Sequence, residues 1–453
     1  MSAMMLVALP SCDKDNNDVD EPEVVDPNNY NAKNEAAIEK ASIAKKVVIK
    51  PTDYTFEEYL WSKEFNAFKA KIAKFANKAA VAIGVNSDGN TAVSPISVFM
   101  ALAMAAESAD GDTRQEILDA MGITYEELNA NIMYLNYICN QVLDHGCTNS
   151  NGQNQLKCVN SLWVKNGINV KDDGVKALTT KYYSDLFYMN FDNDDVNSIL
   201  SSYISNETRG LLCPNLEVNP DVFLILMNVV YLRDVWNELG NEFSFTDQTY
   251  DFVNYDQSKT NTQLLKGHYN SGKAVETDIF RKFYISTYGG VALTFFVPQD
   301  GHTLDEIYTT EVLNDPTPYI TADTESDPEV NYRFHTRCFF PEFQADFDGY
   351  LQDIIMKMGV KKFFTKNACN FSNLTDENVY CSKIRHITKL EVTRKGIEGA
   401  AVTYELMDLA GDPGPSKKVW KDVYFDFPVD RNFAFIVSKN NVPLFNGVVK
   451  TIK

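Results

Sequence analysis

Thirteen consecutive residues, "LILMNVVYLRDVW" at 224–236, place the strongest constraint on what this chain can fold into. Only three of the thirteen side chains are polar, so a strand formed by them has no face suited to water. The run therefore predicts a strand at the centre of a sheet that other layers cover on both sides. "NSLWVK" at 160–165 and "VALTFFVPQD" at 291–300 predict further buried strands.

Helix signals come earlier in the chain. Apolar residues recur at helical spacing over about 56–75. Ser94 followed by Pro95 predicts a helix start, because Ser can cap the first turn and Pro at the first position loses no hydrogen bond. Thr113 followed by Glu116 predicts a capping box for the next helix.

The length and composition allow one large core. The chain has 453 residues, of which 44% are hydrophobic and 12% are aromatic. Strand signals dominate its second half, and "RNFAFIVSKNNVPLFNGVVK" at 431–450 predicts a C-terminal hairpin. We find no repeat and no linker near the midpoint. Early helices and later strands predict an α+β fold, with residues 56–453 as a single domain.

The N-terminus is typical of an export signal. "MMLVALPSC" is a short apolar run that ends at Cys12 and resembles the end of a bacterial lipoprotein signal over residues 1–12, with Cys12 lipidated. An incidental apolar start is the alternative. Residues 13–55 are interpreted as an acidic flexible tether, because 13–29 carry seven acids against one Lys and cannot bury a core. We expect a bacterial cell-envelope or surface lipoprotein that faces the extracellular space or periplasm and meets the membrane only through its anchor.

Charge and cysteine content restrict the partners. The formal net charge of −20 argues against nucleic acid, since phosphate binding needs a basic face. Eight Cys without a CxxC pair predict no zinc site, and no pattern indicates another metal or a cofactor. If Cys12 carries lipid, the remaining odd number leaves at least one free thiol. Cys139, Cys147 and Cys158 are close enough in sequence for one pair to bridge a loop.

No catalytic signature is present. The chain has no GxSxG, HExxH, P-loop or dinucleotide glycine motif. Of its five His, only His386 lies on the apolar face of a predicted strand, in "IRHITKLEV". We interpret it as a hydrogen-bonded core residue, and we expect that the protein is not an enzyme.

Several segments match, in order, the landmarks of one family. Residues 90–117 are similar to "N…SP.S…AL.M…G…T..EI". "YISNETRG" at 203–210 is similar to "W…T.G", with Tyr203 in place of Trp. "MNVVYLRDVW" at 227–236 falls where the family has "VNA.YFKG.W".

Later landmarks complete the match. "FFPEF", "MGV", "NFSNL" and "PLFNGVV" follow in order, and His386 stands ten positions before Gly396. On these residues, the chain from about Phe56 to Lys453 resembles the serpins. The resemblance implies a monomer with a large central sheet A, two further sheets and an exposed reactive-centre loop at about 394–424.

The resemblance also implies a mechanism of inhibition. A serine, or in some cases a cysteine, protease attacks the loop as a substrate and forms an acyl-enzyme. The cut loop then inserts into the central sheet and distorts the protease, so the protease supplies the nucleophile. The intact fold would therefore be a kinetically trapped state.

The hinge of this loop has its own pattern. Inhibitory serpins read roughly "EEGTEAAAAT", and "RKGIEGAAVT" at 394–403 stands in that place. Small side chains would let the backbone enter a gap between strands. The departures are Arg394 for the usual Glu, Ile397 for Thr or Ser, and Gly399 for an Ala. A neutral Ile can still be buried, so inhibition is expected. The hinge residues are Arg394, Gly396, Ile397, Gly399, Ala400, Ala401 and Thr403.

The resemblance assigns two further sets of residues. The cluster that controls opening of the gap comprises Ser94, Ser97, Asn228 and His386. The usual hinge length puts the cleaved bond between Ala410 and Gly411, which favours an elastase-like protease. The loop is longer than usual, so other positions, two of which would suit a trypsin-like protease, are Met407, Leu409, Lys417 and Lys418.

Two other functional hypotheses are compatible with the sequence. One is a non-inhibitory serpin that acts as a binding module or is only cut as a passive substrate. The other is an unrelated hydrolase.

Overall fold

The computed structural model describes residues 42–44, 58–84, 89–143, 154–219, 221–236, 243–327, 329–398 and 418–452. Residues 399–417, which include the second half of the hinge, and most of the N-terminal 57 residues lie outside these ranges. The helices are α1 Lys63–Gly84, α2 Pro95–Ser108, α3 Gly111–Met121, α4 Tyr125–Ile138, α5 Asp172–Lys181, α6 Val196–Glu207, α7 Leu304–Ile307, α8 Thr310–Leu313 and α9 Gln352–Lys357.

The strands fall into three sheets. They are β1 Ser42–Ala44, β2 Thr91–Val93, β3 Gln141–Val142, β4 Gln155–Lys165, β5 Asp185–Met189, β6 Leu224–Val235, β7 Phe245–Val253, β8 Lys259–Ser271, β9 Val275–Glu276, β10 Phe280–Ser286, β11 Ala292–Pro298, β12 Ala322–Asp323, β13 Val330–Phe340, β14 Phe343–Tyr350, β15 Arg385–Thr393, β16 Gly396–Glu398, β17 Val419–Pro428, β18 Phe433–Lys439 and β19 Val442–Val449.

The central sheet has the order β1-β5-β4-β6-β16-β15-β14, with β3 paired to β4. A second sheet runs β2-β19-β18-β11-β10-β9, and a third runs β12-β13-β8-β7 with β17 paired to β13. Early helices and three sheets confirm the predicted α+β architecture.

Strand β6 lies at the heart of the central sheet, as its composition predicts. Leu226, Val230 and Leu232 on one face join the main core with α2, while Met227 and Val229 on the other face pack in the cluster that holds α6. The alternation follows from the period of two along a strand. Both faces are therefore dry, which explains why the run has so few polar residues.

Of two predictions made from turn and helix-cap residues, one is confirmed and one is wrong. The C-terminal hairpin is confirmed, and it turns through Asn440 and Asn441, both with positive φ. The capping box at Thr113 and Glu116 is wrong, because the helix already begins at Gly111. The two side chains instead accept backbone N–H groups of the 361–370 segment.

Two expectations about the N-terminal part and the cysteines need correction. The proposed tether at 13–55 includes Ser42–Ala44, which the structure pairs with the edge strand β5; an edge strand offers free backbone groups to any extended segment near it. Cys139 and Cys158 are both free thiols, so these two do not form the loop bridge. Within the described ranges, no helix is long and apolar enough to cross a membrane.

Candidate functional site

The central sheet is divided between β6 and β15. Only β16 lies between these strands, and it pairs antiparallel with both at the end where β6 finishes, called here the upper end. Below β16, no direct pairing joins β6 to β15 in the part of the chain that the structure describes. A cavity of about 10 Å³ lies at this level, lined partly by Val230, Tyr231, Thr388 and Lys389. The missing pairing below β16, rather than the size of this cavity, defines a gap in which another strand could pair if β6 and β15 moved apart.

The first hinge residues already occupy the upper end of this gap. Gly396, Ile397 and Glu398 form β16, with Ile397 opposite Asp234 on one side and Val392 on the other. The expectation that the whole hinge is exposed before cleavage is therefore wrong for these three residues. Ile397 is apolar and only 1% exposed, so the burial of its side chain stabilises the inserted position of β16.

Gly396 is required by a close backbone approach. A Cβ atom at this position would lie 2.0 Å from the carbonyl oxygen of Asp234. At the other end of β16, Glu398 Oε1 accepts a hydrogen bond from the Tyr231 hydroxyl at 2.9 Å. Burial, with the nearby Glu398 carboxylate, raises the pKa of Tyr231, so the phenol stays protonated and donates.

The turn that precedes β16 is held by three further hydrogen bonds. The indole Nε1 of Trp236 donates to the Thr393 carbonyl at 2.7 Å, and the Phe243 N–H donates to the Arg394 carbonyl at 2.8 Å. The Arg394 N–H donates to Glu342 Oε1 at 2.6 Å. The Trp236 and Phe243 rings stack with centroids 4.9 Å apart. Arg394 thus lies beside an acidic residue at the base of the hinge.

Asp234 is a buried carboxylate beside the inserted hinge. Its oxygens accept hydrogen bonds from Thr287 Oγ1 at 2.5 Å, from the Val235 N–H at 2.9 Å and from the Gly289 N–H at 3.2 Å. Burial raises the pKa of Asp234 to about 7, although these donors and Lys439 oppose the shift. Asp234 is not among the site residues predicted from the sequence, although it stands where the quoted family pattern has Gly.

The four residues of the gap-control cluster are all buried, and the structure links two of them directly. The Ser94 backbone N–H donates to His386 Nε2 at 3.0 Å. Asn228 instead turns its amide toward β4, donating to Asn160 Oδ1 at 2.8 Å and to Cys158 Sγ at 3.2 Å. The cluster is therefore divided between the two sides of the gap.

Several polar atoms of this cluster lack partners among the described residues. They are Ser94 Oγ, Ser97 Oγ, Asn228 Oδ1 and His386 Nδ1. Helix α2 begins at Pro95 as predicted, but the Ser94 side chain does not cap it. Burial lowers the pKa of His386 to about 3, so the ring is neutral. Because Nε2 accepts a hydrogen bond, the ring proton resides on Nδ1, which leaves a buried donor without an acceptor.

The remaining predicted positions fall mostly outside the described residues. This applies to the hinge positions Gly399, Ala400, Ala401 and Thr403, to the candidate cleavage positions Met407, Leu409, Ala410, Gly411 and Lys417, and to Cys12. Lys418 is described, and its Nζ donates to the carbonyls of Thr324 and Asp327 at 2.8 and 3.0 Å. Its side chain would have to break both bonds to enter a protease pocket.

The site has the features of a strand acceptor rather than of a catalyst. His386 is fully buried, and its ring bonds a backbone N–H instead of a nucleophilic hydroxyl. No group of three potential metal ligands occurs among the described residues. The arrangement can accommodate an extended segment between β6 and β15.

Comparison with known proteins identifies the family. A family model described as "Serpin (serine protease inhibitor)" matches residues 70–451. The chain is a serpin. An uncharacterised serpin-like protein of Methanosarcina mazei is 22% identical to this serpin over 368 residues, covering 80% of this chain and 81% of that protein.

Solved structures of other serpins share the fold. Serpin48 of the insect Tenebrio molitor matches with a TM-score of 0.65 and 18% identity, covering 86% of this chain and all of that one. Human thyroxine-binding globulin, solved as a complex with thyroxine, matches with a TM-score of 0.64 and 18% identity, covering 86% of this chain and 99% of that one. Membership of this family supports a serpin-type protease inhibitor in general, and serpins are mostly inhibitors rather than catalysts.

Proposed function

We propose that this serpin traps a serine protease, or a cysteine protease by the same acyl chemistry, by inserting its cleaved loop between β6 and β15. The observation that carries the proposal is β16, because the hinge residues Gly396–Glu398 already lie in the gap as a strand. Insertion therefore extends an existing strand instead of starting one. The protease supplies the nucleophile, and this chain supplies the bait and the acceptor gap.

The register of β16 supports the proposal further down the gap. Ile397 is opposite Asp234 and Val392, so continuing the same antiparallel register brings Thr403 opposite both Asn228 and His386. Thr403 has the same parity as the core-facing Ile397, so its hydroxyl would face the core side of the sheet in the inserted state. A hydroxyl there can both accept from His386 Nδ1 and donate to Asn228 Oδ1. Insertion would thus satisfy buried groups that lack partners in the intact form.

The same register bears on the position of the cleaved bond. Strand β6 begins at Leu224, which would face position 407. A cut just beyond it, at Leu409 or between Ala410 and Gly411, gives a new strand that ends beside the first residue of the antiparallel β6. A cut at Lys418 would require a strand that runs well past the acceptor. We therefore favour Ala410–Gly411 and an elastase-like target.

The expected gain is large enough to drive the distortion of a protease. Extension from 399 to 407 adds nine residues to the strand, and at about 1 kcal/mol net per backbone hydrogen bond this amounts to roughly 10 kcal/mol. Burial of the inward side chains adds to this gain. The sum is comparable with the whole stability of a typical domain.

Incubation with pancreatic elastase tests the proposal. We expect an SDS-resistant complex and, by mass spectrometry, release of a C-terminal fragment that begins at Gly411. Cleavage without a complex would contradict trapping and identify a passive substrate. The cleaved chain should also melt well above the intact one, and equal melting temperatures would contradict insertion.

A non-inhibitory binding function is the second candidate. Thyroxine-binding globulin was solved with thyroxine, which shows that the serpin fold can carry a small ligand. The larger cavity described here has a volume of about 160 Å³ and lies beside Gly84, Leu304, Tyr308 and Val448. Pockets for drug-sized ligands usually measure about 300–1,000 Å³, so this cavity is too small to hold such a ligand.

We also propose that Cys12 anchors the protein to the bacterial envelope as a lipoprotein. The support is the apolar run that ends in Ser11 and Cys12. Metabolic labelling with an alkyne fatty acid should mark the wild type and not a Cys12→Ser variant. Equal labelling of both proteins would contradict the proposal.

A further inference from the structure

The inserted hinge lies directly beside Asp234, whose side chain is buried. Ile397 is opposite Asp234 in the register, and both side chains face the main core. Gly396 lies against the Asp234 carbonyl so closely that no Cβ would fit. Asp234 is 1% exposed with the hinge in place. Withdrawal of β16 would remove the cover on this side and let water approach the carboxylate.

Few charged groups face Asp234 from the elements packed around it. The β10–β11 turn offers only the neutral donors Thr287 and Gly289, and the hinge offers the apolar Ile397. Lys439, at the end of β18, is the cation that acts on Asp234. Behind it, Cys139 from the end of α4 acts on Lys439, and burial raises the pKa of that thiol well above its usual range. Lys439 favours the ionised form of Asp234, but burial outweighs this effect and the pKa of the carboxyl group stays raised.

We propose that Asp234 couples the position of the hinge to pH, so that protonation of its carboxyl group favours the inserted β16 and ionisation favours withdrawal of the hinge. The physical reason is desolvation, because a carboxylate loses more hydration under the inserted hinge than under an open sheet end. Ionisation and insertion therefore oppose each other by thermodynamic linkage.

The pH range of the effect follows from the position of the group. With the hinge inserted, burial raises the pKa of Asp234 to about 7. The hinge-withdrawn state, which is more hydrated, has a lower pKa for this group. Between the two values the inserted state holds a proton that the withdrawn state has released, so insertion weakens as the pH rises toward 7 and beyond. A difference of one pKa unit between the states corresponds to about a tenfold change in the equilibrium.

Amide hydrogen exchange of the hinge tests the coupling without any protease. In the wild type, protection of the peptide that contains Ile397 and Glu398, corrected for the intrinsic rate, should fall by up to about tenfold between pH 6 and pH 8. In Asp234→Asn the protection should not change over this range. Asp348→Asn is the matched control, since Asp348 pairs with Arg385 on the same sheet away from the hinge and should behave as the wild type.

A second variant keeps the proposal testable if Asp234→Asn does not fold. Ile397→Ala retains the carboxyl group and removes part of its cover, so the midpoint of the protection change should move to lower pH. Constant protection in the wild type, or a change that persists in Asp234→Asn, would overturn the inference. Less efficient trapping of protease at pH 8 is a consequence that rests on the proposed inhibitory function. The exchange measurement does not depend on that function, so the pH coupling and the inhibitory function can be refuted separately.

Discussion

Replacement of Ile397 by Glu is the perturbation that bears most directly on insertion. Ile397 is 1% exposed in β16, and its burial contributes about 1.5–3 kcal/mol. A buried carboxylate without a partner costs several kcal/mol more, and Asp234, directly opposite, adds like-charge repulsion when ionised. The combined penalty is at least about 5 kcal/mol, or more than a thousandfold in the equilibrium for seating the hinge.

The proposed inhibition depends on insertion being faster than hydrolysis of the acyl-enzyme. We therefore expect Ile397→Glu to be cleaved by elastase at a normal rate while it forms almost no SDS-resistant complex. The assay counts molecules of serpin consumed per molecule of protease inactivated. Ile397→Val is the matched control, and with a loss of about 0.5–1.5 kcal/mol it should inhibit nearly as well as the wild type. If Ile397→Glu trapped elastase with the stoichiometry of the wild type, the inserted hinge would have no role in trapping.

Three further predictions concern the gap and its buried charges. Gly396→Ala should expel the hinge, because its Cβ would lie 2.0 Å from the Asp234 carbonyl oxygen; limited proteolysis should then cut near residue 397, and an unchanged digest would contradict this. Thr403→Val should leave the melting temperature of the intact form unchanged and destabilise the cleaved form by about 1–3 kcal/mol, since His386 would keep a donor without a partner; equal melting of the two cleaved forms would refute it. As the pH falls, Asp234 should stabilise the intact form between about 7 and 3.8, whereas His386 should destabilise it between 6.5 and about 3. The two effects largely cancel in the wild type. In His386→Gln only the effect of Asp234 remains, so its melting temperature should rise when the pH is lowered from 7 to 5. A melting temperature that did not rise would contradict the raised pKa of Asp234.

Much of the fold follows from local patterns. The apolar run at 224–236 predicts a strand buried on both faces, and β6 has this environment. Ser94 and Pro95 predict the start of α2, and the asparagines near the C-terminus predict a hairpin turn. These features succeed because the responsible residues are close together in sequence. The capping box at Thr113 fails because its side chain bonds a segment more than 250 residues away.

The candidate site was only partly predictable for the same reason. The spacing of His386 and Gly396 identifies the hinge, yet it does not say that Ile397 is already seated between two strands. That position depends on Asp234, which is more than 150 residues away in sequence. The pairing of the Arg394 N–H with Glu342 is likewise a tertiary contact. No pattern within either segment contains this information.

Trp236 gives the molecule an intrinsic optical probe of its own conformation. Of the four Trp in the chain, Trp61 and Trp420 are exposed, while Trp163 lies in a different hydrophobic cluster. The Trp236 indole is hydrogen-bonded to the carbonyl that immediately precedes the hinge turn. A change in strand occupancy at the upper end of the gap would alter this bond and therefore the emission wavelength. Stopped-flow fluorescence could then measure the rate of this change in strand occupancy without any attached dye.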